Sequence, residues 1–189
     1  MNIATAHLKS TAPYSQSKQH WTPKILEGKE THDAHEKRTW REKMHVTEDG
    51  YLFIPPIQFK WCIEEAASHL SMKVPETAGS KFTKHFKRGI LVTDGIILPI
   101  KKEDVVPEWR SMNPQGIRGG RKRVPKALPT IYSWEGDVTF YVADDVITEP
   151  VFRKHLECAG MFIGIGTHRP GNGGYKGRFE VVSVDWQLA

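Results

Sequence analysis

The sequence predicts an α+β domain in which an antiparallel sheet carries two helices on one face. Three observations lead there. Short alternating or β-branched runs recur along the chain, the first at 2–9 and the last, RFEVVSVDW, at 178–186. Two stretches repeat apolar residues at helical spacing: Phe59, Ile63, Ala66, Ala67 and Leu70, then Phe152, Leu156, Ala159 and Ile163. Stripped of insertions, these elements follow the order β-α-β-β-α-β, the ferredoxin-like (RRM-like) arrangement. The 189 residues suit a single domain, 1–189, large enough for a proper core.

Taken in order, residues 2–9 set Ala4, Ala6 and Leu8 on one side of a strand and Ile3, Thr5 and His7 on the other. Residues 10–48 are polar and broken by Pro13, Pro23 and Gly28, and read as a long irregular connection ordered in part by Trp21 and Trp40. Asp49-Gly50 signals a turn into the strand YLFI, 51–54. Pro55-Pro56 opens the first helix, which ends by Val74-Pro75, and its outer face carries Lys60, Glu64 and Glu65. Residues 76–88 read as a polar, basic loop, followed by short strands at 89–92 and 95–100. The stretch 101–126, without sustained periodicity and frequent in Gly, Pro and Lys/Arg, reads as an exposed hairpin or flexible basic insertion. Strands follow at 128–134 and 137–143, joined by a turn at Glu135-Gly136, with Val138, Phe140 and Val142 on one face. Thr148 is the expected N-cap of the second helix, with Glu149-Pro150 in its first turn. In the last strand, Phe179, Val181 and Ser183 are expected to point one way and Glu180, Val182 and Val184 the other.

Charge is unevenly spread. Residues 81–126 hold twelve Lys/Arg and four acids, a local charge of +8, so the remainder carries −3 of the net +5. A concentrated positive region on a near-neutral body is the footprint of a polyanion site. No run approaches a membrane span, and MNIATAHLKS lacks the apolar stretch of a signal peptide, so a cytoplasmic protein is expected. The two cysteines, Cys62 and Cys158, fall in the two helices and are read as reduced thiols.

The most unusual segment is GIGTHRPGNGGYKGRF, 164–179, with six glycines. It lacks the third Gly of a dinucleotide fingerprint and the Gly-Lys-Ser/Thr of a P-loop. Extra glycines let a ligand or another backbone approach main-chain amides closely. Here His168, Arg169, Lys176 and Arg178 surround those amides, and Tyr175 offers a stacking face, a pattern suited to holding phosphates and one base.

Three segments together give a family resemblance: FIPPIQFKWCIEEAA (53–67), the loop 164–179, and the opening strand with KSTAPYSQSK (9–18). The chain resembles the RAMP superfamily, the ferredoxin-fold backbone subunits of CRISPR effector complexes and their stand-alone or viral relatives. Ile54-Pro55 and Phe59-Lys60 match the family's turn into its first helix; Gly164, Gly166, Gly174, Tyr175, Gly177 and Arg178 match its terminal loop. The stretch 101–126 sits where the family carries a thumb hairpin that touches guide RNA and the neighbouring subunit. Two departures stand out. Pro56-Ile57 replaces a small Gly-Ser pair, and residues 9–18 lack the aspartate of target-cleaving members, Asp33 being the nearest. Nuclease activity is therefore not carried over.

The expectation is sequence-independent binding of single-stranded RNA or DNA, without cofactor, by subunits assembling side by side along the strand. Arg118, Arg121, Lys122, Arg123 and Lys126 would contact phosphates; Lys81, Lys84, Lys87 and Arg88 would extend the track; His168, Arg169, Gly174, Tyr175, Lys176 and Arg178 would hold the backbone from the loop. The open sheet face is a second natural surface for a strand. Two other readings compete. One is an interaction protein that mimics, blocks or joins an effector complex. The other is a metal-independent ribonuclease with His7, His20, His85 or His168 as base. His32 and His35, beside Glu30, Asp33 and Glu36, are zinc-type ligands but lack a third at suitable spacing, so they read as a polar turn. Trp109 and Trp134 flank the basic region, either to stack bases or to cover the core.

Overall fold

The computed structural model describes residues 1–25, 30–75, 77–113 and 121–188. Strand β1 (Asn2–Ser10) lies inside a four-stranded antiparallel sheet. On one side it pairs with β8 (Glu135–Val142), Ala4 opposite Phe140 and Ala6 opposite Val138. On the other it pairs with β9 (Phe179–Leu188), Ala4 opposite Trp186. Strand β4 (Ile90–Val92) adds beyond β8, giving the order β4-β8-β1-β9. The connection from β1 to β4 contains helix α2 (Pro56–Leu70), and these two strands flank β8. The connection from β8 to β9 is helix α4 (Glu149–Cys158) with the loop after it, and these two strands flank β1. Two smaller antiparallel sheets stand beside this one. The first joins β2 (Tyr14–Ser15), β7 (Val124–Ile131) and β6 (Pro107–Met112). The second pairs β3 (Tyr51–Ile54) with β5 (Ile96–Lys101).

The core forms between the sheet and the helices. Alternation sends Ala4, Ala6, Leu8, Val138, Phe140 and Val142 to one face, all buried, and the small alanines let the helices approach. Helix α2 starts where Pro56 presets φ in the first turn and ends where Ser71 turns left-handed at φ 49°. It buries Phe59, Cys62, Ile63, Ala66 and Ala67. Thr148 caps α4 by position, without a side-chain bond, and Phe152 meets Phe140 edge-on at 5.2 Å. Cys62 and Cys158 are buried free thiols, and Cys62 Sγ donates to the Ala159 carbonyl at 3.3 Å. Among the described residues, no helix is long and apolar enough to cross a membrane.

Four local expectations change. The expected loop at 76–88 contains helix α3 (Phe82–Gly89). Phe82 and Phe86, one helical turn apart, are both buried there, and Phe86 stacks on buried His155 at 4.2 Å. The long connection 10–48 holds β2 and helix α1 (His32–Thr39), followed by a 3₁₀ turn (Trp40–Lys43). Helix α1 has no apolar stripe; what it buries is Glu36 and Thr39, so hydrophobic spacing could not reveal it. Glu135-Gly136 lies within β8, and the turn falls at 132–134. Gly136 is needed for close approach: a Cβ there would lie 2.7 Å from Ile96 Cγ2. Finally, the register of β9 slips by one residue, His7 facing Ser183 and Leu8 facing Val181. This bulge switches the strand's phase, so Val184 and Trp186 pack on the core with Val181, and Ser183 is exposed.

Phe140→Ala should lower stability by about 3–5 kcal/mol, because it empties a site that the helices cannot refill. Thr139→Ala, on the opposite face of the same strand, should stay within about 0.5 kcal/mol. Chemical denaturation of the two variants checks this; equal losses would contradict the assigned core face.

Candidate nucleic-acid interface

The glycine-rich loop begins as α4 widens into a single π turn (Ala159–Ile163), closed by the Gly164 amide donating to Ala159 O at 2.8 Å. It then folds back on itself. Ile165 N–H donates to Gly177 O at 2.9 Å, Lys176 N–H to His168 O at 3.0 Å, and Gly174 N–H to Arg169 O at 2.9 Å. The loop also binds the N-terminal segment: Thr167 N–H donates to Ser15 O at 2.9 Å and Gly177 N–H to Pro13 O at 2.8 Å. Gly177 sits at φ 74°, and a Cβ on it would fall 1.8 Å from Ile165 O. Many of the amides expected to hold phosphates thus satisfy the protein's own carbonyls. The glycines make a tight, doubled-back loop before they can serve any ligand.

That loop is bolted to the basic hairpin formed by β6 and β7. Lys176 is fully buried; its ammonium donates to Glu108 on β6 and, at 2.9 Å, to Thr130 Oγ1 on β7. Arg110 Nε donates to the second Glu108 oxygen at 2.5 Å, and Arg110 Nη2 reaches Tyr175 Oη at 2.7 Å. Burial works to raise the Glu108 pKa, but Lys176 and Arg110 outweigh it and hold the carboxyl below the usual range. Strand β2 lies between the two elements, its Ser15 opposite Thr130 and its hydroxyl 2.6 Å from Thr167 Oγ1.

A second ion cluster fixes the hairpin's other side. Buried Glu36 on α1 accepts from Lys43, from Lys126 at 3.1 Å and from the Ala127 amide at 2.8 Å. Its carboxyl too is held low: burial opposes ionisation, and Lys43, the Ala127 amide and Lys126 prevail. Lys43 also donates to Ala127 O at 3.1 Å. Neither cluster follows from periodicity.

The expected contact residues divide accordingly. Arg121, Lys122 and Arg123 are exposed on the hairpin, and Arg123 reaches Ser111 O at 3.2 Å. Arg118 lies outside the described residues. Lys126 is paired with Glu36, and Lys176 has no accessible surface, so both hold the fold together. Lys84, Lys87 and Arg88 are exposed on α3, and Lys81 is exposed at its N-cap. Arg169 is ion-paired with Glu65 at 2.8 Å; Arg178 Nε donates to Met161 O at 3.0 Å. Gly174 is partly buried within the loop, and Tyr175 is exposed beneath the Arg110 guanidinium. His168, at φ 57°, is held neutral by burial and by nearby Arg110 and Lys176, so it adds no positive charge near pH 7. Two hollows, of about 230 and 360 Å³, share Trp61 and Arg169, and the second also reaches Lys87. The second is also lined by Glu64 and Glu65, so acids of α2 stand between the loop and Lys87 of α3.

The open sheet face is ill suited to a polyanion, which corrects the expectation made for it. Its outward positions carry Glu135, Asp137, Glu180 and Asp185 against Lys9 and His7, and His7 is bound to Asp137 at 2.7 Å. The four candidate histidines are dispersed. His7 stands on that face, His20 bonds Thr22, His85 bonds Asp144 at 2.7 Å, and His168 is in the loop. Among the described residues, no three His, Cys, Asp or Glu are grouped to hold a metal ion; His35 bonds Thr22 O and Glu30 pairs with Arg38. Trp40 and Trp134 belong to the core, whereas Trp21 and Trp109 are exposed.

No protein-family model matches this sequence, and no curated protein matches it at a meaningful level of similarity.

Glu108→Ala should destabilise by about 3–5 kcal/mol, because it leaves the Lys176 ammonium buried without its counter-ion. Lys176→Met should cost less, since Glu108 keeps Arg110 and some contact with water. Denaturation midpoints decide the order, and a reversed order would contradict the buried pair. Both Glu36 and Glu108 titrate lower folded than unfolded. Their contribution is therefore full above the ordinary glutamate pKa, about 4.3, and is lost as pH falls below it. Glu36→Gln should flatten the acid limb of a stability–pH curve, and an unchanged limb would count against this assignment.

Proposed function

We propose that the chain is a RAMP-type, ferredoxin-like protein that binds single-stranded nucleic acid without sequence preference, copies assembling side by side along the strand. The fold part of this reading rests on sheet order and connectivity: two crossovers, one through each main helix, each spanning a strand of the other. The observation that carries the function is the buried junction of Lys176 with Glu108 and Thr130. It ties the loop to the hairpin, so the partly exposed Arg178 of the loop and the exposed cations of the hairpin belong to one rigid surface. Arg121, Lys122 and Arg123 supply phosphate contacts from the hairpin. Arg178 faces the strand from the loop, beside Arg169, which stays paired with Glu65, and Lys81, Lys84, Lys87 and Arg88 extend the track at the start of α3 and along it. Exposed Tyr175 and Trp109 offer stacking faces beside the cations. The acidic open sheet face supports the same reading by repelling the strand from the other side. RNA and single-stranded DNA present the same phosphates and ring faces to such a surface.

Binding of this kind releases counterions, so log K should fall against log salt with a slope of roughly −0.7 per phosphate neutralised. Replacing Arg121, Lys122 and Arg123 together with alanine should weaken all sequences alike and reduce the slope by about 2. Fluorescence anisotropy with labelled oligonucleotides over a salt series measures both. Salt-independent affinity would overturn the electrostatic surface; an unchanged slope in the triple variant would remove the hairpin from it.

A further inference from the structure

The smaller hollow differs in chemistry from the exposed cations of the hairpin and α3. It is lined by Ser17, His45, Gln58, Trp61 and the backbone of Gly166, and Arg169 is its one cationic side chain, already paired with Glu65 at 2.8 Å. A phosphate would find little free charge there. A flat, weakly polar ring would find several partners.

Trp61 is the first of these. Its neighbours on α2, Phe59, Cys62 and Ile63, are buried, yet the Trp61 side chain is 60% exposed and borders both hollows. An indole left in water at the mouth of a cavity is a ready stacking platform. Gln58 is the second. Tyr14, fully buried, donates its hydroxyl to Gln58 Oε1 at 3.0 Å, which fixes the carboxamide and leaves its NH₂ to donate elsewhere. His45 is the third: its ring is set edge-on to Phe53 at 5.7 Å, and burial, with Lys18 nearby, keeps it neutral. A neutral imidazole offers one donor and one acceptor. Cys62 also lines the hollow, but its thiol donates to Ala159 O and burial pushes its pKa up, so it acts as wall and not as nucleophile. The volume, about 230 Å³, is below the range of roughly 300–1,000 Å³ usual for drug-sized ligands and has room for one planar ring system.

We infer that this hollow receives one nucleobase of the bound strand, stacked on Trp61 with its edge met by Gln58 and His45. The inference rests on the strand-binding reading above and adds a recessed base subsite to its phosphate contacts and exposed stacking faces. Stacking is tolerant of sequence, which suits a protein that coats a strand whatever its bases.

The test compares oligouridylate and oligothymidylate with abasic sugar-phosphate strands of the same length and charge. Wild-type protein should bind the base-bearing strands about tenfold or more tighter than the abasic ones. Trp61→Ala should lower that ratio severalfold, down to what Tyr175 and Trp109 contribute, and leave the salt slope unchanged, whereas Trp61→Phe should keep most of it. Gln58→Ala should reduce the ratio less than Trp61→Ala and serves as a second, independent probe. Equal wild-type affinity for base-bearing and abasic strands would overturn the base subsite together with stacking on Tyr175 and Trp109, and a ratio untouched by Trp61→Ala would overturn the subsite alone. Failure to bind any strand would overturn the strand-binding reading itself, and the subsite with it.

Discussion

Lys176 sits in the most glycine-rich part of the chain with its ammonium out of water. A buried cation is stable only with a close counter-charge and its remaining hydrogens bonded. Here the counter-charge, Glu108, comes from one strand of the hairpin and the extra acceptor, Thr130, from the other. The loop can therefore adopt its doubled-back path only when the hairpin is docked, and the hairpin's place is fixed by the same contact. Strand β2, paired to β7 and hydrogen-bonded to the loop through Ser15, makes the junction three-layered. The surface cations on either side are positioned by this one desolvated interaction.

Charge is sorted in the same way. Some acids pin the basic region, as buried Glu36 and half-buried Glu108 do, and others stand on the open face of the main sheet, as Asp137 and Asp185 do. The open face of the main sheet is thereby acidic, and the hairpin and α3 carry exposed cations. Beside the loop, Trp61 and Gln58 mark a patch whose chemistry favours a ring over a phosphate. Backbone and base would thus be met by different residues of the same surface, the usual division of labour in binding single strands.

The main sheet and its two helices were legible because their signals are hydrophobic and periodic: Ala4, Ala6 and Leu8 on one side of β1, Phe59, Ile63 and Ala66 along α2. What was hidden was held by polar contacts. Helix α1 buries a glutamate, and nothing in the spacing of apolar residues points to that. Helix α3 is too short for its Phe82–Phe86 pair to stand out from a lysine-rich background. The β9 bulge depends on pairing with β1, which no local pattern contains. The glycines of the loop announced a special segment, but not that its amides would be turned inward. The cations of the candidate surface were visible as composition; which of them are free and which are structural, Lys126 and Lys176 among the latter, depends on acids distant in sequence.

The central property proposed for the molecule is that copies of it line up along a strand. Size-exclusion chromatography with light scattering, on the full chain mixed with unstructured RNA or DNA of increasing length, reads this directly. Complex mass should rise in steps of one protein mass as the strand lengthens, with at least one of the two nucleic acids. A mass that stays at one copy on every strand would contradict assembly along the strand, and an unchanged free protein with both would contradict nucleic-acid binding altogether.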